Sequence, residues 1–209
     1  MQREDRAHIA EFLSRTIGRL TDTRPRTEAE LRKGFLISPA GSDNTIKVES
    51  RISGQYYAYK MEVLFSINNT EFKTIYKAFW RDKMDGSKLY PTPMIIIDLD
   101  NVARGLSSAD FPPYAIDEES QHAAYRHIEE NGPAVFEWVR SLSSAEGALN
   151  HYRLNNPYIA SARYPIVMYT LTKIVHGRDA ALSYVNLLNA SELPPFMRDQ
   201  VEFLWTTRP

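Results

Sequence analysis

The chain contains no cysteine. That excludes disulfides, thiol nucleophiles and cysteine-ligated zinc. No apolar run approaches the roughly 20 residues that a membrane span needs. The opening "MQREDRAHIAEF" is charged and has no apolar core segment, so it does not read as a signal peptide. A cytoplasmic location is expected. Charge of one sign is also missing: the net charge is −1, with no global field to attract nucleic acid or anionic lipid. Neither is expected as a partner. Glycine-rich phosphate loops of the G-x-G-x-x-G and Walker kinds are absent, as is a G-x-S-x-G nucleophile elbow. No cofactor is expected.

What is present suits an ordinary globular protein. Apolar residues make up 43% and charged residues 24% of 209, enough to bury a real core. The texture changes near Pro112, with strand-like segments before it and helix-like segments after. Residues 1–112 are expected to form a helix plus an antiparallel sheet. Residues 113–209 are expected to be helical and packed on that sheet as one globular unit.

From Asp5 to Leu20, the residues Ile9, Phe12, Leu13, Ile17 and Leu20 form a helical stripe. A short helix from Thr27 to Lys33 should end at Gly34. Then the period changes to two. Ile46, Val48 and Ile52 alternate with Lys47, Glu49 and Arg51, and the odd positions from Tyr57 to Ile67 are apolar. A two-residue turn at Gly54-Gln55 would set Ile52 against Tyr57, Val48 against Met61 and Ile46 against Val63. On the other face Glu49 would meet Lys60, and Lys47 would meet Glu62. A slip by one residue would put charges against the core.

Phe72, Ile75, Tyr76 and Phe79 return to helical spacing behind Asn69 or Thr70 as an N-cap; a third strand is the competing reading. Met94 to Ile97 reads as a strand. Asp117 to Glu130 reads as a helix stopped by Asn131-Gly132, with Pro133 opening the next one. "SSAEGALNHY" is a further short helix. Pro157–Val175 and Asp179–Ala190 form a helical pair broken at Gly177, with Pro165 kinking the first or marking its true start. Phe196 to Trp205 is the last helix. The fold class expected is α+β: an antiparallel sheet around a central hairpin, packed by helices on one face, with a helical C-terminal half.

Three patterns raise the question of chemistry. "IIIDLDNV" resembles the first motif of the haloacid-dehalogenase-like phosphohydrolases. That resemblance implies Asp98 as nucleophile and Asp100 as general acid beside Mg²⁺. That motif works in a parallel sheet with further acids downstream. The chain after Asp100 offers one lysine, Lys173, and no strand followed by paired acids. Glu71-Phe72-Lys73 has the E-x-K spacing of metal-dependent nucleases, but on a helical segment. The histidines His8, His122, His127, His151 and His176 form no metal-ligand spacing. No catalytic or metal residue is therefore assigned. The aromatic and charged residues Arg51, Tyr56, Lys60, Glu62 and Trp80 are the candidates for partner binding.

The order of elements carries a further resemblance. A leading helix runs into "ELRKGF"; the second hairpin strand "YYAYKMEVLFSIN" ends in F-x-I-N; and a later segment reads "IEENGPAVFEWVRSLSSAEGAL". Over about residues 5–150 this resembles the bacterial domain-of-unknown-function family numbered 4304, with Pro133, Phe136, Leu142, Ser143 and Ser144 matching its last signature. "TDTRPRTEAE" is an insertion and "IIIDLDNV" replaces that family's Trp-rich strand. The resemblance implies an immunity protein that binds and neutralises a cognate toxin. Its motifs are structural, and no catalytic residue comes with them. Two other classes fit the sequence: a Mg²⁺-dependent phosphohydrolase using Asp98 and Asp100, and an intracellular adaptor or secretion chaperone.

Overall fold

A computed structural model describes residues 3–21, 27–38, 41–53, 60–81, 93–98, 118–153 and 164–209. Among these, eight α-helices, one 3-10 turn and four strands follow in the order α1 (Arg3–Thr21), α2 (Glu28–Lys33), β1 (Phe35–Ile37), β2 (Thr45–Ser53), β3 (Lys60–Asn68), α3 (Thr70–Arg81), β4 (Ile95–Asp98), α4 (Glu118–Ser141), α5 (Ala145–Arg153), α6 (Tyr164–His176), α7 (Arg178–Leu187), the turn Ala190–Glu192 and α8 (Pro195–Thr207). The strands form one antiparallel sheet in the order β1-β2-β3-β4, and the class is α+β with a helical C-terminal half.

The chain gathers into two compact units. One comprises 1–37, 46–66 and 96–140; the other comprises 38–45, 67–95 and 141–209. They are not the two sequence halves, since both contain segments from either side of the texture break. The break at Pro112 itself lies outside the described residues.

In the first unit the helical stripe of α1 is buried as its spacing requires: Ile9 0%, Phe12 3%, Leu13 0% and Ile17 2% exposed. The even positions of β2 and the odd positions of β3 face the same core, with Ile46, Val48, Val63 and Phe65 all buried. Phe65 meets Phe136 of α4 at 6.0 Å between ring centroids, and Phe12 stacks on Tyr125 of α4 at 3.8 Å. Thr27 caps α2 by accepting from the Glu30 amide, and Gly34 ends that helix at φ 73°.

The structure adds one element and corrects one expectation. The segment Phe35-Leu36-Ile37 is a strand, β1, paired antiparallel with β2 in the register Phe35↔Val48, Leu36↔Lys47, Ile37↔Ile46. Three consecutive apolar residues show no alternation, so their strand character has no sequence signature. Second, Asn131-Gly132-Pro133 does not stop a helix: α4 runs through it. Ala124, Ile128, Val135, Phe136 and Val139 are buried along α4 and continue one stripe past the interruption, with Gly132 buried within it. Burial of that stripe outweighs the local penalty of a proline. Asn131 reinforces the passage by donating from Nδ2 to the His127 carbonyl at 2.9 Å.

The turn expected at Gly54-Gln55 lies outside the described residues. So do the side chains of Lys60 and Glu62, the expected cross-strand ion partners. Lys47 pairs with Glu49 on its own strand, at 2.9 Å.

In the second unit, α6 is the central helix. Pro165 through Thr172 are all buried, which its apolar, poorly amphipathic sequence demands. Its proline stands at the start, the second of the two roles open to it. The orphan amide of Ile166 donates to Oε1 of Gln200 on α8 at 3.3 Å, and Gln200 is 0% exposed. Around α6 stand α3, α5, α7 and α8. The helix reading of 70–81 holds over the strand alternative: Asn69 is the N-cap, its Oδ1 accepting from the Phe72 amide at 3.0 Å.

Candidate functional site

The sheet of the first unit has two unlike faces. Its inner positions are buried, as above. On the other face β1 presents Leu36, 65% exposed beside Lys47, and Ile96 of β4 is 49% exposed at the sheet's far edge. Beside Leu36 in the sheet, Lys47 of β2 pairs with Glu49, both side chains partly covered.

The second unit carries an aromatic cluster where α3 meets α8. Trp80 lies 5.4 Å from Phe79, 6.1 Å from Tyr76 and 5.7 Å from Phe196. Phe79 also meets Phe203 edge-on at 5.5 Å. Phe79 is buried, whereas Trp80, Phe196 and Phe203 are half-buried. Four helical residues of α3 at core spacing bring this about, and Trp80 follows the last of them at the core's edge.

A polar knot in the same unit ties three segments together. Asn44, 0% exposed, donates from Nδ2 to the Leu142 carbonyl at 2.8 Å, and its amide donates to Ser143 O at 3.0 Å. Ser42 Oγ lies 2.6 Å from the same Ser143 oxygen. Asp43 Oδ2 accepts from the Ala145 amide at the start of α5, where acceptors are wanted. Each of these groups has a backbone partner, so the knot is structural.

The predicted site residues fare as follows. Arg51 stands in β2 and Lys60 and Glu62 in β3, with side chains outside the described residues; Tyr56 is outside them altogether. Trp80 sits in the aromatic cluster of the other unit. Asp98 is the last residue of β4, its side chain not described, and Asp100 lies beyond the described residues. Glu71 of the E-x-K triplet is bound by Lys173 at 2.7 Å, not by Lys73. A helix separates i and i+2 by about 200°, so the acid and its lysine cannot converge on one phosphate.

His8, His122 and His176 are exposed. His151 Nε2 lies 3.2 Å from Ser141 Oγ, and burial pushes its pKa down from 6.5. No cluster of three or more potential metal ligands occurs among the described residues, and none of their helices is long and apolar enough to cross a membrane. Leu36 and Ile96 escaped the sequence reading, because exposure of one residue in an apolar triplet leaves no mark in the pattern.

No known family model matches this chain, no curated protein matches it, and no solved structure matches it. No comparison supports the family numbered 4304, which the sequence suggested through a few residues. The structure gives those residues packing roles. Phe136 packs on Phe65, while Leu142 and Ser143 supply the carbonyls that Asn44 binds. Ser144 Oγ caps α5 by accepting from the Gly147 amide at 3.0 Å.

Proposed function

We propose that this chain is a cytoplasmic immunity protein, which binds a cognate protein toxin stoichiometrically and neutralises it by covering its active site or blocking its movement. The observation that carries the reading is the exposure of two large aliphatic side chains on the two edge strands of one sheet, Leu36 of β1 at 65% and Ile96 of β4 at 49%. Exposed aliphatic side chains held on a rigid sheet favour a protein partner. The likeness to the family numbered 4304 supports the same class. Trp80 and the hairpin residues Arg51, Tyr56, Lys60 and Glu62 remain its candidate anchors, with charges steering approach.

The reading is tested by expressing, with and without this chain, any large toxin-like protein encoded immediately upstream of its gene; a metabolic operon there counts against the reading. Co-expression of this chain should restore growth and give a one-to-one complex. Leu36→Asp/Ile96→Asp should lose both while keeping the wild-type melting transition. Two outcomes sink the proposal. One is Mg²⁺-dependent phosphatase turnover that Asp98→Asn abolishes. The other is a bound partner that keeps its full activity, which is how a secretion chaperone would behave.

A further inference from the structure

We infer that the solvent face of α3 is a second contact surface, shaped for an acidic patch on the protein partner; this rests on the reading of the chain as a protein-binding module. The twelve residues of α3 divide cleanly. Phe72, Ile75, Tyr76 and Phe79 are buried. The opposite arc carries Lys73, Lys77 and Arg81, at i, i+4 and i+8, with Thr70 and Thr74 between them and Trp80 along one edge. Lys77 and Arg81 are exposed and Lys73 is half-exposed. The three cations line up over about 12 Å of helix.

None of the three has an ion-pair partner among the described residues. The one acid of the helix, Glu71, points to the flank and is bound by Lys173 at 2.7 Å. A chain of net charge −1 thus concentrates on a single helix face three positive charges that have no ion-pair partner among the described residues.

Helix stability does not explain this placement. The macrodipole favours a cation in the last turn, which accounts for Arg81. It disfavours one in the first turn, where Lys73 stands. Like charges four residues apart also repel, by a few tenths of a kcal/mol per pair. The stripe therefore works against the helix that carries it, as a surface kept for an external counter-charge does.

Trp80 adds the anchor. Its ring is braced by Phe79 at 5.4 Å and Phe196 at 5.7 Å yet keeps one part in solvent. A rigid aromatic beside cations is the composition of a protein–protein contact. Three charges on an acid-balanced chain are too few for a nucleic-acid groove, where affinity grows with each neutralised phosphate.

The test uses the full chain, a fluorescent poly-glutamate peptide and a DNA duplex of matched charge. The peptide should bind and weaken about tenfold between 50 and 200 mM salt. Lys73→Glu/Lys77→Glu/Arg81→Glu should abolish binding. The milder Lys73→Gln/Lys77→Gln/Arg81→Gln should weaken it about tenfold, which decides the matter if the reversed variant does not fold. Arg32→Glu/Lys33→Glu, on exposed α2, should bind like wild type. Tighter binding of the duplex than of the peptide overturns the inference in favour of nucleic acid. Wild-type binding by the glutamine variant overturns it outright. Undiminished toxin protection by a folded glutamate variant also overturns it, and leaves the immunity reading standing. If wild type itself gives no protection, immunity fails and the peptide result still decides this face.

Discussion

Asn69 donates from Nδ2 to Oδ1 of Asn44 at 2.9 Å, although the two stand 25 residues apart and both are buried. The same Nδ2 reaches the Asp43 carbonyl at 3.1 Å, and Asn69 Oδ1 caps α3. One side chain thereby starts a helix and fixes the loop that in turn holds the α4–α5 turn. Asn44→Ala should cost about 2–3 kcal/mol in urea unfolding, since it leaves the Leu142 carbonyl and an Asn69 donor unsatisfied in the interior. Asn69→Ala should cost as much, and the double variant clearly less than the sum. Strict additivity would show that the two side chains do not act as one unit.

Two glycines with positive φ should respond differently to alanine. Gly34 has φ 73°, and a Cβ there would stand 2.5 Å from Val48 O and 2.6 Å from Glu49 Cγ. Gly177 has φ 86° with open space around it. Gly177→Ala should cost about 1–2 kcal/mol for the backbone conformation alone. Gly34→Ala should cost clearly more, because the backbone of β2 must also move. Equal shifts in melting temperature would contradict the close approach.

Pro133 is exposed within α4. It removes a helix hydrogen bond and crowds the carbonyl four residues before it, at about 3 kcal/mol in a regular helix. Pro133→Ala should therefore stabilise the chain by roughly 1–3 kcal/mol, seen as a raised melting temperature. A fall would mean that the proline sets a bend on which the packing of Phe136 depends.

Ser50 and Thr16 carry buried hydroxyls without a hydrogen-bond partner among the described residues, at 2% and 5% exposure. Ser50→Ala and Thr16→Val should each be neutral to stabilising by about 1 kcal/mol, because a desolvated hydroxyl is removed with little change in shape. A loss of more than that in chemical denaturation would reveal a partner group for the hydroxyl.

His151 gives a pH dependence. Burial lowers its pKa below the ordinary 6.5, so the unfolded chain binds its proton more readily than the folded one. Stability should be full above pH 6.5 and fall as the pH drops through the folded pKa. His151→Gln should flatten that part of the profile and leave the neutral plateau close to wild type. An unchanged slope would assign the effect to other groups.

The sequence was informative wherever a period could accumulate. The stripe of α1, the alternation of β2 and β3 and the i, i+3, i+4, i+7 spacing of Phe72 to Phe79 each repeat the same geometric statement several times. End signals were equally legible: Thr27, Asn69 and Gly177 sit where their chemistry places a cap or a break. The misses have a common cause. β1 is too short to show a period, and Asn131-Gly132-Pro133 gives a local stop signal that distant packing overrides. Trp80 was singled out as a binding residue, but its neighbour Phe196 lies more than a hundred positions away and no local rule points to it.

Local sequence by itself determined the type of the longer periodic elements, their inner faces, and the missing cysteine chemistry, because these depend on residues within a turn or a strand of one another. Only the tertiary structure decided that the chain interleaves two units, that Asn44 and Asn69 form one polar knot, that Glu71 belongs to Lys173, and that Leu36 and Ile96 stay in solvent. Those outcomes depend on which surfaces meet after the chain has closed long loops. That choice is made by the summed burial of whole faces, which no single stretch of sequence contains.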